Sequence, residues 1–432
     1  MLNILARFWL IACMSGSAFA ASLAELDTSL GESDLSVLRA EHQVQISKAR
    51  EDQANASLGP QLNASVSSVR NDRKQSNRTE RYLGEEYSLT LNQPLFNEPA
   101  SLAPLRQAAI TRGNKFALER TGQERRIQLV SGFVAWVDAD SQLKFLNRRL
   151  SSVGQRAFQL KKLFDRQQVS VVEVLTVNNE RDRVRANIAQ VEANQGAASS
   201  ALVNLLGDES LLGETPALDD VTSWPFDGIA ESLTEVSLET HPSVLEAKSN
   251  RQASGLALRQ AEAENLPVVS VQVRMSDSNI GSNNSETPPV RNFSAQATMT
   301  WGIFDSGAQE ARLRESQFFV EDSELVLEQT LRQVRQERQA SETEIRRIRR
   351  AWDAALAEVR SAEQLLNAAE RSYDLGVGTI GDTLAALERL VEAEIRLSSR
   401  WLEGFLGVAR LAQMSNQLDR RIIDRLSGLM LQ

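Results

Sequence analysis

The chain has 432 residues, 42% of them apolar and 24% charged, with a formal net charge of −9. Beyond its N-terminus it has no apolar run of the ~20 residues that a spanning helix needs, and its negative charge argues against nucleic acid as a partner. One cysteine (Cys13) and two isolated histidines (His42 and His241) rule out an intrachain disulfide and leave nothing with which to build a Cys/His zinc site or a histidine-based triad. The expectation is a non-enzyme with no cofactor and no metal.

In chain order, residues 1–20 read as an export signal. Arg7 supplies the positive charge, Phe8 to Met14 form a short apolar run, and Ala18-Phe19-Ala20 offers a small-x-small cleavage site. Leu10-Ile11-Ala12-Cys13 also resembles a lipoprotein box that would acylate Cys13, but its apolar run is short. Either route takes the chain out of the cytoplasm. Leu23 to Leu58 then reads as a helix of one piece. Pro60 opens a weakly alternating segment, about 61–70, with Leu62, Ala64 and Val66 on one side. A polar loop over Asn71 to Glu85 leads to a second strand, about 86–96, in which Tyr87, Leu89 and Leu91 alternate with Ser88, Thr90 and Asn92. From Pro99 to about Asp165 no convincing breaker interrupts a helical run, which at 1.5 Å per residue is roughly 100 Å long. A short break and a helix from about Val171 to Leu206 follow.

The same grammar then returns. Phe96 is matched by Phe304 208 positions on, Pro60 by Pro267 207 on, and Phe164-Asp165 and Glu173 by Tyr373-Asp374 and Asp382 209 on. The chain is a tandem duplication. Residues 21–206 form the first repeat and 243–432 the second, and 207–242 form a linker with some local structure. The second repeat has strands at about 267–276 and 292–304. There Val269, Val271 and Val273 face one way, as do Phe293, Met299 and Trp301, with a polar loop at Asp277 to Arg291 between them. Its long helix, Asp305 to Tyr373, carries Ile345, Ile348, Trp352, Ala355, Val359, Ala362, Leu366, Ala369 and Tyr373 in 3-4 spacing, a coiled-coil pattern. The fold class is mainly α with a small β part.

The alternating segments admit two readings. One is a half-buried sheet over a soluble core. The other is a membrane barrel, apolar towards lipid and polar towards water. Their ~10-residue length and the aromatic residues near their ends suit the barrel. Four strands cannot close one, since the smallest membrane barrels have about eight, so a barrel requires several copies, and three would supply twelve strands. Gly376-Val377-Gly378-Thr379-Ile380-Gly381 spells a dinucleotide-binding motif, but a helix rather than a strand precedes it. These glycines instead end that helix and turn the chain.

Three runs carry a family resemblance: LNQPLFN at Leu91 to Asn97, WGIFDSG at Trp301 to Gly307 and YDLGVGTIGDTL at Tyr373 to Leu384. With them the chain resembles the TolC-like outer membrane factor (outer membrane efflux protein) family over nearly its whole mature length. The resemblance implies a homotrimer in the Gram-negative outer membrane, with a twelve-strand barrel, a helical α-barrel tunnel through the periplasm, and docking to a periplasmic adaptor and an inner-membrane transporter of the RND or ABC type. It implies passive conduction, either as a drug or metal efflux duct or in type I protein secretion. Pro94 and Gly302 would mark the passage from barrel to helix, and Gly376, Gly378 and Gly381 the turn at the tip. Asp382 would belong to an acidic aperture ring, with Tyr373 tethered to Glu173. Two positions depart from the family pattern. Ala385 stands where a second aspartate is common, and Gly378 where an arginine is. The competing assignment is a periplasmic coiled-coil adaptor, which usually carries one helical hairpin rather than two.

Overall fold

The computed structural model describes residues 22–75, 78–216, 218, 221–234, 237–279 and 290–430. The expected signal peptide and Cys13 lie outside them. In order, the elements are α1 (Leu23–Ser33), α2 (Leu35–Ala56), β1 (Gln61–Gln75), β2 (Arg78–Phe96), α3 (Glu98–Asp165), α4 (Val171–Leu206), α5 (Asp227–Thr234), α6 (Pro242–Ala263), β3 (Val268–Ser278), β4 (Val290–Thr300), α7 (Ala308–Asp374), α8 (Ile380–Met414) and α9 (Arg420–Met430).

Two expectations are corrected. Residues 71–75 and 78–85 are not a loop: β1 and β2 pair in unbroken register from Gln61↔Asn92 to Gln75↔Arg78. Polar composition suggested a loop, but strand pairing depends on backbone groups, which these residues supply as well as any. The helix expected over 23–58 is broken at Asp34. Its carboxylate accepts the backbone N–H groups of Ser36 (2.8 Å) and Val37 (2.9 Å), capping α2, and Arg125 Nε at 2.9 Å. Burial pushes the Asp34 pKa up, but the bonds from Val37, Arg125 and Ser36 outweigh it and leave the group below its usual range.

The chain forms two compact units, each drawing on both sequence repeats. The sheet unit comprises Arg39–Arg120 and Pro242–Gln333. Its four strands are antiparallel in the order β1-β2-β3-β4, and its helix segments are tied by polar contacts in the matching order. Gln107 of α3 donates to the Ser47 carbonyl of α2. Arg112 and Arg120 of α3 reach Gln252 and Glu246 of α6. Arg251 of α6 and Glu264 just past its end meet Glu324 and Arg312 of α7. Gly113 lets α3 and α6 approach closely, since an added Cβ would lie 3.2 Å from Asn250 Oδ1.

The helical unit comprises the chain up to Leu38, Thr121–His241, and Val334 onward. Its core joins Leu23, Leu26 and Leu30 of α1 to Phe133 and Val137 of α3, Leu202 of α4, Trp401 and Phe405 of α8 and Ile423 of α9. The 207–242 stretch carries α5 and docks on this core. Phe226, Ile229 and Leu233 are fully buried, and Trp224 stacks edge-on against Phe226 at 4.9 Å. Trp352 and Trp401 donate to the Val221 and Ser223 carbonyls. At Gly404 any side chain would collide with Trp224, 2.6 Å away. Five of the nine positions in the 3-4 pattern of α7, namely Ile345, Ile348, Trp352, Ala355 and Ala362, are buried.

Candidate functional site

Side chains directly opposite one another in an antiparallel sheet share a face, so the register reads out the surface chemistry. On one face the cross-strand rows are Ala64–Leu89–Met275–Phe293 and Leu62–Leu91–Val273–Ala295, with Val66 opposite Tyr87, Val271 opposite Ala297 and Val269 opposite Met299. On the other they are Gln61–Asn92–Gln272–Gln296, Asn63–Thr90–Arg274–Ser294 and Ser65–Ser88–Ser276–Asn292. The expected lipid-facing residues Tyr87, Leu89, Leu91, Val269, Val271, Val273, Phe293 and Met299 therefore line a single apolar face. That face is open: Leu62, Val66, Tyr87, Leu89, Phe293 and Met299 are all exposed. Trp301 lies just past β4, is exposed, and donates its indole N–H to the Asn265 carbonyl at 3.0 Å.

The barrel-to-helix positions differ in character. Pro94 sits in β2 beside a register shift between Pro94 and Phe96, where a missing N–H is tolerated. Gly302 meets no steric demand, since a Cβ there would touch nothing. The backbone turns into α7 at Ser306 and Gly307, both with positive φ (57° and 88°), and Asp305 accepts the N–H groups of Gly307 and Gln309. Sequence reading missed Gly307 as the working glycine, although it sits inside the WGIFDSG run.

Within the helical unit, α7 closes with Gly376 in the left-handed region (φ 74°), and the Ser372 carbonyl accepts from both Val377 and Gly378. Gly378 is a true close approach: an added Cβ would lie 3.0 Å from Ser372 Cβ and 3.2 Å from the Tyr373 nitrogen. An arginine cannot occupy this position without reshaping the turn. Gly381 lies in the first turn of α8 with no such demand.

Thr379 and Asp382 form a reciprocal cap. The Thr379 N–H donates to Asp382 Oδ2 at 3.0 Å, and the Asp382 N–H donates to Thr379 Oγ1 at 3.2 Å. The Thr379 hydroxyl donates to the same carboxylate at 2.6 Å, and these bonds lower the Asp382 pKa. The first repeat builds the same joint 209 residues earlier. Gln167 takes the positive-φ position of Gly376 (φ 60°), and Ser170 caps Glu173 as Thr379 caps Asp382. Tyr373 packs into a cluster with Val153, Leu160, Val177, Ile380 and Leu384. Burial raises its pKa first, and the charge of Glu173 adds to this. Glu173 and Tyr373 are thus electrostatic neighbours, while Asp382 points into solvent. Among the described residues no cluster of three or more potential metal ligands occurs, and no helix is long and apolar enough to cross a membrane.

Residues 233–403 match the family model described as outer membrane efflux protein. Over that stretch the chain is similar to the outer membrane efflux protein family. The similarity extends to almost all of the chain: it is 22% identical to the outer membrane protein TolC of Vibrio cholerae over 423 residues, covering 96% of this chain and 95% of that one. The fold is shared with solved structures. The Campylobacter jejuni CmeC outer membrane channel superposes with a TM-score of 0.79 at 13% identity, over 94% of this chain and 89% of that one. The Neisseria gonorrhoeae MtrE outer membrane channel, solved in its open state, gives a TM-score of 0.73 at 15% identity over 94% of each chain. Within this efflux-protein fold, the four-stranded sheet and the turn between α7 and α8 are the two places where chemistry is most sharply specified.

Proposed function

We propose that the protein is the outer-membrane exit duct of a tripartite efflux or type I secretion system, conducting substrates passively from the periplasm to the exterior. It sits in the Gram-negative outer membrane with a large periplasmic portion. The observation that carries this reading is the sheet itself, with one face predominantly apolar and exposed and the other polar. Such a sheet separates hydrocarbon from water. Backbone groups left unpaired at an edge in lipid cost several kcal/mol each, and this sheet has two edges, β1 and β4. Joining β4 of one copy to β1 of the next removes both, and a homotrimer closes a cylinder of twelve strands.

The turns between α3 and α4 and between α7 and α8 support a partner. Val171, Val172 and Leu175 on α4, and Leu375 and Val377 on the α7–α8 turn, are exposed apolar side chains, the last two 78% and 81% accessible. They suit an end-on apolar contact with the helical hairpin of a periplasmic adaptor, which in turn engages an inner-membrane transporter of the RND or ABC type. Asp382 takes the aperture role, with Tyr373 and Glu173 holding the turn nearby. The adaptor reading for this chain itself leaves the two-faced sheet without a purpose.

Detergent-extracted protein should come from the outer-membrane fraction as a trimer and conduct ions in a planar bilayer. A soluble monomer in the periplasm would sink the duct. Asp382→Asn should lower cation selectivity, and an unchanged ion preference removes Asp382 from the aperture.

A further inference from the structure

The polar face of the sheet carries one unexplained feature. Across the paired rows from Gln61 to Val69, Asn92 to Gly84, Val268 to Ser278 and Thr300 to Val290, its side chains are amides, hydroxyls and a few small apolar groups. On this face the charged residues in these rows are Glu86 and Arg274, while Glu85, Asp277 and Arg291 fall on the opposite face. Glu86 and Arg274 are not cross-strand partners: Arg274 lies opposite Thr90, and Glu86 opposite Ser278. The guanidinium nonetheless passes the Ser88–Ser276 row to reach Glu86, with Nη2 2.6 Å from Oε1. Ser88, on that row, is buried and shares a 2.7 Å hydrogen bond with Ser65. Arg274 and Glu86 stay 44% and 28% exposed, so the pair faces the space in front of the sheet.

We infer that the Arg274–Glu86 pair sets the charge selectivity of the barrel passage, keeping it neutral by mutual compensation. This rests on the duct reading above, in which the polar face lines water and three copies place three such pairs in one ring. Rings of charged side chains govern ion preference in pores, and lumen substitutions tune it in barrels. A wall of amides and hydroxyls contributes no net field. Every unit of fixed charge on this face of the stretch is therefore one of these two groups, and each cancels the other at hydrogen-bond distance. The arrangement suits a conduit that must pass solutes of either sign. Discrimination then falls to the loading end rather than to the exit.

The test is a reversal potential across a planar bilayer under a KCl gradient, with the full-length trimer in both wild-type and Asp382→Asn backgrounds so that the other proposed charge ring is removed. Glu86→Gln leaves three guanidiniums uncompensated and should lower the cation-to-anion permeability ratio about twofold or more. Arg274→Gln should raise it by a similar factor, and the double variant should return near the parent. The shifts should grow as salt falls from about 0.1 M to 0.01 M, because the screening length rises from about 10 Å to 30 Å. Single variants that conduct with parental selectivity at low salt overturn the inference, as does a double variant that fails to revert. A parent that forms no pore at all would instead refute the duct. If one single variant fails to insert, the other and the double variant still decide the matter.

Discussion

The sheet unit and the helical unit solve opposite problems. In the helical unit the core aromatic side chains are inside: Phe133, Phe226, Trp401 and Phe405 are at most 2% exposed, and five aromatic rings around Trp224, Trp352 and Trp401 contact one another within 6.3 Å. In the sheet the apolar side chains are outside. Phe293 is 72% accessible, Val66 71% and Leu62 63%. The same residue types are buried by their own chain in one unit and left for another medium in the other. The helical core is thus covered by its own chain, whereas in the proposed duct the sheet's face and edges are left for lipid and further copies to cover.

Truncating the core should give the largest effect. Trp401→Ala removes a ring packed between Phe226 and Phe405 together with its bond to the Ser223 carbonyl. It should cost about 3–5 kcal/mol, seen as a lower unfolding temperature and early proteolysis of the helical unit. A loss under about 1 kcal/mol would mean this core is not what holds the unit together.

The sheet is tested by neighbours on a single strand. Val273→Arg places a cation on the apolar face and should cost about 2–4 kcal/mol near the bilayer midplane, read as loss of trimer in membrane extracts. Gln272→Arg, one residue away on the polar face, should assemble normally. Equal tolerance of both variants would break the assignment of faces, since adjacent strand residues point to opposite sides.

A smaller effect compares the two repeats. Gln167 and Gly376 occupy the same left-handed position, but only one is glycine. A non-glycine residue there carries about 1–2 kcal/mol of strain. Gln167→Gly should recover part of this, while Gly376→Gln should lose a similar amount. The measurement is the unfolding midpoint of each variant trimer. A destabilised Gln167→Gly would mean that its side chain is needed at the turn for another reason. The same substitution pattern recurs where α4 and α8 end, with Gly207 (φ 77°) and Asn416 (φ 55°) 209 residues apart.

The contrast between units also explains what could be read without coordinates. The strand alternation, the long runs of α3 and α7 and the span of α4 were legible because period-2 and 3-4 patterns are local. The extension of β1 and β2 through Arg70–Leu83 and Asp72–Arg81 was not, because charged residues pair by backbone as readily as others and give no pattern. The break at Asp34 was missed for a similar reason. An aspartate inside a helical run becomes a cap only once Arg125, distant in sequence, fixes its carboxylate. At the candidate site, Tyr373, Asp382 and the Gly376–Gly378 turn were recognisable from one motif. The Arg274–Glu86 pair was invisible, because it depends on a register that joins the two repeats.

The smallest effect concerns a carboxylate that the helical unit buries without a cation. Asp138 of α3 accepts the Ser399 hydroxyl of α8 at 2.7 Å and the Gln142 amide at 2.8 Å. Burial raises its pKa despite both bonds, and Glu403 adds to the rise. A carboxyl whose pKa is raised by folding binds its proton more tightly in the folded state, so ionisation costs stability, and the cost grows as pH climbs above the ordinary carboxylate value. Asp138→Asn keeps an acceptor for Ser399, and Gln142 can turn its carbonyl towards the new amide. The variant should therefore unfold at a higher temperature than the wild type near pH 8, by a margin that closes towards about pH 3, where the aspartate is protonated in both states. A gain that persists unchanged at low pH would assign the effect to packing rather than charge. A loss at every pH would mean that the carboxylate itself is what Ser399 and α8 require.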